Sequence, residues 1–210
     1  MPTSWWVALV VLLWLVLGLG AALLFLGRHG HRAGTWYFLG AALGPLFVPI
    51  AMERGRRAGR VLERTPGAEH GAPGRPTVLV GVDGSAESDR AVRDAVRLFA
   101  SAPARIVLAA VLDPDAAEFD GPGARREWHD LLAERAGWFP PGGPAPGLEL
   151  RCGQPDLVLL EAAEAAGADA IVIGRRGRGL SHRLLGSVAQ SLTRRSTVPV
   201  LLAGPAPRSD

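Results

Sequence analysis

The run GRRGRGLSHRLLGSVAQ, residues 174–190, packs four glycines and four arginines into seventeen positions. It lies between two apolar segments, DAIVI at 169–173 and VPVLL at 198–202. A glycine has no Cβ, so its backbone N–H can approach a ligand closely and its φ can be positive. Ser187 suits a helix N-cap, and Gln190 three residues on completes a capping box. A helix N-terminus offers N–H groups and the positive end of a dipole, which together attract anions. With Arg175, Arg176 and Arg178 alongside, the fitting ligand is a phosphate chain. The same spacing also serves a tight strand-to-helix connection with an ordinary cap and solvated arginines.

Other chemistries fit less well. The P-loop pattern requires a lysine, and the chain contains none. The dinucleotide fingerprint requires closely spaced glycines right after the first strand, where this chain has Asp83-Gly84-Ser85. Asp83 also fits a turn aspartate that bonds its own backbone. His29-Gly30-His31 supplies two metal ligands with no Cys or acid nearby, so no metal site is expected. His182 shares the glycine loop with Ser187, but a Ser-His-Asp triad needs the base held toward the hydroxyl, and spacing does not supply that. His182 reads as a loop residue and His129 as a helix-surface one. No paired carboxylates are framed as a hydrolytic acid and base. The chain is therefore not expected to be an enzyme, slow ATP turnover being the only chemistry left open.

The elements that would position these residues alternate. Strands are expected at 77–82, 105–112, 148–151, 170–173 and 198–202. Helical spacing of apolar residues marks 85–100, with Ala91, Val92, Ala95, Val96 and Phe99 on one face. Further helices are expected at 124–138, at 156–166 with Pro155 in the first turn and Gly167 as the stop, and at 187–195. Such alternation argues for a mostly parallel sheet covered on both faces. Ligands bind such sheets beyond the carboxyl ends of the strands, where strand order reverses. The loops after 77–82 and 170–173 are the places in question.

Four stretches, VLVGVDGSAESDRAV (78–92), CGQPDLVLLEAAEAAGADAIVIGRRGRG (152–179), LLGSVAQ (184–190) and TVPVLLAG (197–204), resemble a universal stress protein domain. The resemblance covers roughly residues 76–204 and its motifs fall in the right order. It implies a five-stranded parallel doubly wound sheet of the adenine nucleotide alpha hydrolase-like, Rossmann-like kind. The nucleotide-binding branch of the family is similar to G-x2-G-x9-G-[ST]. Here Gly174-x2-Gly177 is followed by eight residues and then Gly186-Ser187, one residue fewer. The resemblance implies a nucleotide site at Val82, Asp83, Val111, Gly174, Arg176, Gly177, Gly186, Ser187, Val188 and Ala189. Asp83 would hold the ribose and adenine side, and Val111 would contact the base. Gly174, Gly177, Gly186 and Ser187 would cradle phosphates, with Val188 and Ala189 supplying backbone. Ala189 stands where a hydroxyl residue is often found. The ligand implied is ATP with Mg²⁺. Homodimerisation through 198–202 is also implied, and an exposed apolar edge strand invites such pairing.

The chain has 210 residues, more than the resemblance needs. Residues 5–27 form a run of 23 without a charge. That is roughly 34 Å of helix, enough to cross a bilayer core. A second uncharged run at 36–52 has 17 residues, including Pro45 and Pro49. Two spans are expected, forming a membrane hairpin over 1–52. Arg54, Arg56, Arg57, Arg60 and Arg64 follow the second run, against Arg28 and Arg32 between the runs. The positive-inside rule then places everything after Met52 in the cytoplasm. All 23 basic residues are arginine, and the sequence pI is about 10.3. Much of this charge is juxtamembrane, which favours anionic lipid over nucleic acid as a partner. Residues 53–76 read as an Arg/Gly/Pro-rich tether, 77–204 as the domain, and 205–210 as a tail. Cys152 is alone, so no internal disulfide forms. The expected function is that of an ATP-binding stress-response sensor or regulator in the cell membrane, acting on a regulatory protein partner. The alternative is a dimerisation module of the same fold that binds no nucleotide.

Overall fold

Six strands share one sheet in the computed structural model, in the order β1-β4-β3-β2-β5-β6. The structure describes residues 5, 6, 9, 14, 16, 20, 60–67, 74–99, 102, 104–114, 121–177 and 185–204. In chain order the elements are β1 (Arg60–Thr65), β2 (Thr77–Val82), α1 (Ala86–Phe99), β3 (Arg105–Leu112), α2 (Gly121–Ala136), β4 (Gly147–Cys152), α3 (Pro155–Ala166), β5 (Ala170–Ile173), α4 (Ser187–Arg195) and β6 (Val200–Leu202). The chain divides into two units, 1–57 and 58–210. In the first unit the described positions Trp5, Trp6, Leu9, Trp14, Val16 and Gly20 are helical. Among the described residues no helix is long and apolar enough to cross a membrane. The expected spans 5–27 and 36–52, apart from those six positions, lie outside the described residues, as does the tail 205–210.

The sheet of the second unit is built as the alternation predicts. TVLVGV in β2 is buried at every position, as befits a parallel strand covered on both faces. Even-numbered residues of the strands (Val78, Val80, Ile106, Leu108, Leu150) pack under α1 and α2, against Val92 and Leu132. Odd-numbered ones (Leu79, Val107, Ala109, Ile171) pack under α3 and α4, against Leu159, Ala162 and Leu192. Gly167 ends α3 at φ 60°, in the left-handed conformation. This is the stop expected of a glycine with no Cβ penalty. From β2 the chain moves outward to β3 and β4, then crosses back to β5 on the other side of β2. Strand order therefore reverses between β2 and β5, paired in parallel through Val80↔Val172. Sheets of this kind take their ligands at such a point, beyond the strands' carboxyl ends.

Two expectations are corrected. The sheet has six strands, not five, and is not all parallel. The extra strand comes from inside the expected tether: Arg60–Thr65 pairs antiparallel with β4, Arg60 opposite Cys152 and Arg64 opposite Glu149. Its composition, RVLERT, is that of a solvent-washed edge, and all but one of its residues are exposed. Charged, short and bulged between Val61 and Glu63, it closes the β4 side of the sheet. Beneath it lies an ionic cluster. Arg151 donates to Glu149 Oε1 through Nε at 3.1 Å and NH2 at 2.8 Å, and Arg64 reaches the same oxygen at 3.4 Å. The second correction is smaller: β6 begins at Val200 and not at 198.

Candidate functional site

Asp83 follows β2 directly, and the turn it opens is built by its own side chain. Oδ1 accepts the Ser85 N–H at 2.9 Å, with Gly84 at φ 73° between them. The turn-aspartate geometry is thus realised. Ser85 then caps α1, its Oγ accepting the Ser88 N–H at 3.1 Å while Ser88 Oγ donates to the Ser85 carbonyl at 2.9 Å. Asp83 also does something a turn does not require. Its Oδ2 lies so close to Gly177 that a Cβ built there would stand 2.5 Å away. The carboxylate links the β2 end to the glycine loop.

The loop glycines serve close approach, since none of Gly174, Gly177 and Gly186 has a positive φ. A Cβ on Gly174 would meet the Glu87 carbonyl carbon at 2.8 Å, Glu87 Cβ at 2.9 Å and Ser88 N at 2.9 Å. The exit of β5 is thereby pressed onto the first turn of α1. At the far end of the loop the Gly186 N–H donates to the Arg175 carbonyl at 2.9 Å, closing the loop at its base. Arg176 reaches back to α1, its NH2 3.7 Å from Glu87 Oε1.

The start of α4 differs from the capping-box expectation. Gly186 is the N-cap, in extended conformation and with no side-chain cap bond, and Ser187 is the first helical residue with its side chain exposed. The Gln190 N–H bonds the Gly186 carbonyl at 2.9 Å. The N–H groups of Ser187, Val188 and Ala189 therefore belong to the turn that has no acceptor within the helix. Those groups, with the positive end of the α4 dipole, can hold an anion. Ala189 is buried and Val188 half-buried in the core under α3 and α4. The side chain at 189 faces that core, so a hydroxyl there would meet apolar groups.

The structure thus sets Gly177 against Asp83 and Gly186 against Arg176 and Gly177, while Gly174 packs on Glu87 and Ser187 follows Gly186 at the start of α4. Val111 stands at the carboxyl end of β3, half-buried, on the odd-numbered face and in register with Arg151. The Val82 side chain points into the core under α1 and α2, leaving only its backbone at the site. Arg178 and His182 lie outside the described residues. Sequence reasoning missed Glu87, whose only local signal is an acidic residue in a first helical turn. It also missed the Glu149–Arg151 pair. Among the described residues, no group of three or more His, Cys, Asp or Glu could hold a metal ion. The Cys152 thiol, beyond Val111 on β4, is pushed up by burial first and by Asp113 second, against the pull of Arg60 and Arg125.

A doubly wound α/β domain with an acidic turn after its first parallel strand and a glycine loop at its switch point defines a class of ligand-binding domain. The chain belongs to the universal stress protein family, whose model matches residues 74–204. No curated protein matches the chain. Among solved structures, the universal stress protein UspA from Lactobacillus plantarum is 22% identical, covering 63% of this chain and 100% of its own, with a TM-score of 0.52. It shares the fold. A universal stress protein solved in complex with cAMP is 33% identical over 61% of this chain and 95% of its own, with a TM-score of 0.46. Another, from Archaeoglobus fulgidus in complex with dAMP, is 22% identical over 62% of this chain and 98% of its own, with a TM-score of 0.43.

Proposed function

We propose that the 58–210 unit binds an adenine nucleotide, ATP with Mg²⁺, beyond the carboxyl ends of β2 and β5. The observation that carries this is the joint between Asp83 and Gly177, which sets a carboxylate beside a glycine loop closed by Gly186 N–H to Arg175 O. Asp83 is fit to accept hydrogen bonds from ribose hydroxyls. The loop glycines and the first turn of α4 are fit to donate N–H groups to phosphates. Phosphates held there would supply oxygen ligands for Mg²⁺, a cation that usually keeps most of its waters. The role proposed for that binding is regulation rather than catalysis. Titration of the purified full-length chain with ATP, adenosine, cAMP and dAMP tests the reading. Saturable ATP binding is expected, and its absence at millimolar nucleotide would leave the dimerisation module in its place.

The same proposal sets the domain in the cytoplasm, tethered to the cell membrane by spans 5–27 and 36–52. Its support is the arginine excess after Met52. A reporter fused at Asp210 that works only outside the cytoplasm would reject this topology. Self-association is proposed at β6, an edge strand whose Val200, Leu201 and Leu202 are half-exposed. A Leu201→Lys chain should then sediment as a smaller species than the parent.

A further inference from the structure

Glu87 is the charged residue at this site that no role has absorbed. Its Oε1 accepts Arg90 NH1 at 2.9 Å and faces Arg176 NH2 at 3.7 Å. Its Oε2 is buried and has no hydrogen-bond partner. The side chain is mostly out of water, 16% exposed, while Arg176 keeps 32% exposure. Gly174 makes this seat possible, because any Cβ there would strike Glu87 Cβ at 2.9 Å. An acidic side chain is thus lodged against the loop whose N–H groups and arginine are suited to phosphate. A carboxylate and a phosphate compete for the same guanidinium donors, since both offer two oxygens to a planar fork.

We propose that Glu87 determines specificity at the nucleotide site by holding Arg176 in the phosphate's place. The inference rests on the nucleotide reading above and names its discriminating residue. A ligand without phosphate leaves the Glu87–Arg176 pair intact and binds at the Asp83 end unopposed. A ligand with a phosphate chain must draw Arg176 away and leave Glu87 close to its own negative charge. The opposition grows with each phosphate, so Glu87 lowers affinity for ATP more than for ADP, AMP or adenosine. Arg90 stays on Glu87 throughout and keeps the released carboxylate partly compensated.

The test is calorimetric titration of the full-length chain with adenosine, AMP, ADP and ATP, in wild type, Glu87→Gln, Arg176→Gln and the double variant. Gln keeps the shape and a hydrogen bond to Arg90 while removing the charge. Glu87→Gln should tighten ATP by about tenfold, a single charge–charge contact at a partly exposed site, and leave adenosine within about twofold. In the Arg176→Gln background the same change should lose most of that gain, because the guanidinium it frees is gone. A Glu87→Gln chain that shifts ATP and adenosine alike overturns the proposal, as does a gain that persists in full without Arg176. Wild type that binds no member of the series overturns the nucleotide reading itself. Wild type that binds ATP while Glu87→Gln leaves the ATP-to-adenosine ratio unmoved overturns only the role of Glu87.

Discussion

Asp83 packs its carboxylate against the α-carbon of Gly177, one oxygen accepting the Ser85 N–H at 2.9 Å and the other filling the space a side chain at 177 would need. The two residues leave adjacent parallel strands, β2 and β5, on the two sides of the switch point. The acidic turn and the glycine loop are therefore one unit, and the geometry of either depends on the other.

Gly177→Ala tests that unit. The new methyl group cannot share the space with Asp83 Oδ2, so the carboxylate must turn and give up the Ser85 bond. Loss of one such bond costs about 1 kcal/mol of stability, which urea unfolding will read. Affinity for adenosine and for ATP should both fall at least tenfold in the same titrations. Unchanged adenosine binding would remove Asp83 from the ligand side of the site.

Gly186→Val should separate the two ends of the ligand. A Cβ at 186 already stands 3.3 Å from Arg176 Cα and 3.4 Å from the Arg175 carbonyl oxygen, and valine adds two methyl groups to it. The loop base must open and the first turn of α4 is screened. ATP binding should be lost while adenosine binding persists, and a parallel loss of both would place adenosine at the loop as well.

The Glu149–Arg151 pair should matter far more than its neighbour Arg64. The two side chains are 1% and 6% exposed, so Glu149→Gln strands a buried guanidinium without its anion. The loss should be about 3–5 kcal/mol. Arg64 is 49% exposed, and Arg64→Ala should cost less than about 1 kcal/mol. Equal urea midpoints for the two variants would contradict the buried-pair account.

Cys152 should be a sluggish thiol. Burial, then Asp113, holds its proton on beyond the ordinary thiol value, and only the thiolate attacks alkylating reagents. Iodoacetamide labelling of the native chain near neutral pH should be slower than that of the urea-unfolded chain. The native rate should keep rising through the alkaline range after the unfolded rate has levelled off. Fast native labelling at pH 7 would reject the raised value.

Local pattern alone determined much of this protein. TVLVGV, RIVLAAVL and AIVI announce parallel strands because burial on both faces demands unbroken apolar runs, and no distant partner is needed to see them. Pro155 and Gly167 bound α3 by their own backbone preferences, and the glycine and arginine content of 174–190 singles out that loop as the candidate for an anion. Tertiary structure decided the rest. RVLERT carries no apolar run, since one edge strand needs none; only the β4 backbone, far along the chain, makes it a strand. Ser187 has the chemistry of a cap, yet the cap falls one residue earlier, on Gly186, and Ser187 is the exposed first residue of the helix. The contacts of Asp83 with Gly177 and of Glu87 with Arg176 join segments some ninety residues apart. They exist because parallel pairing of β2 and β5 ends both strands at one level, a coincidence of position that sequence spacing does not encode.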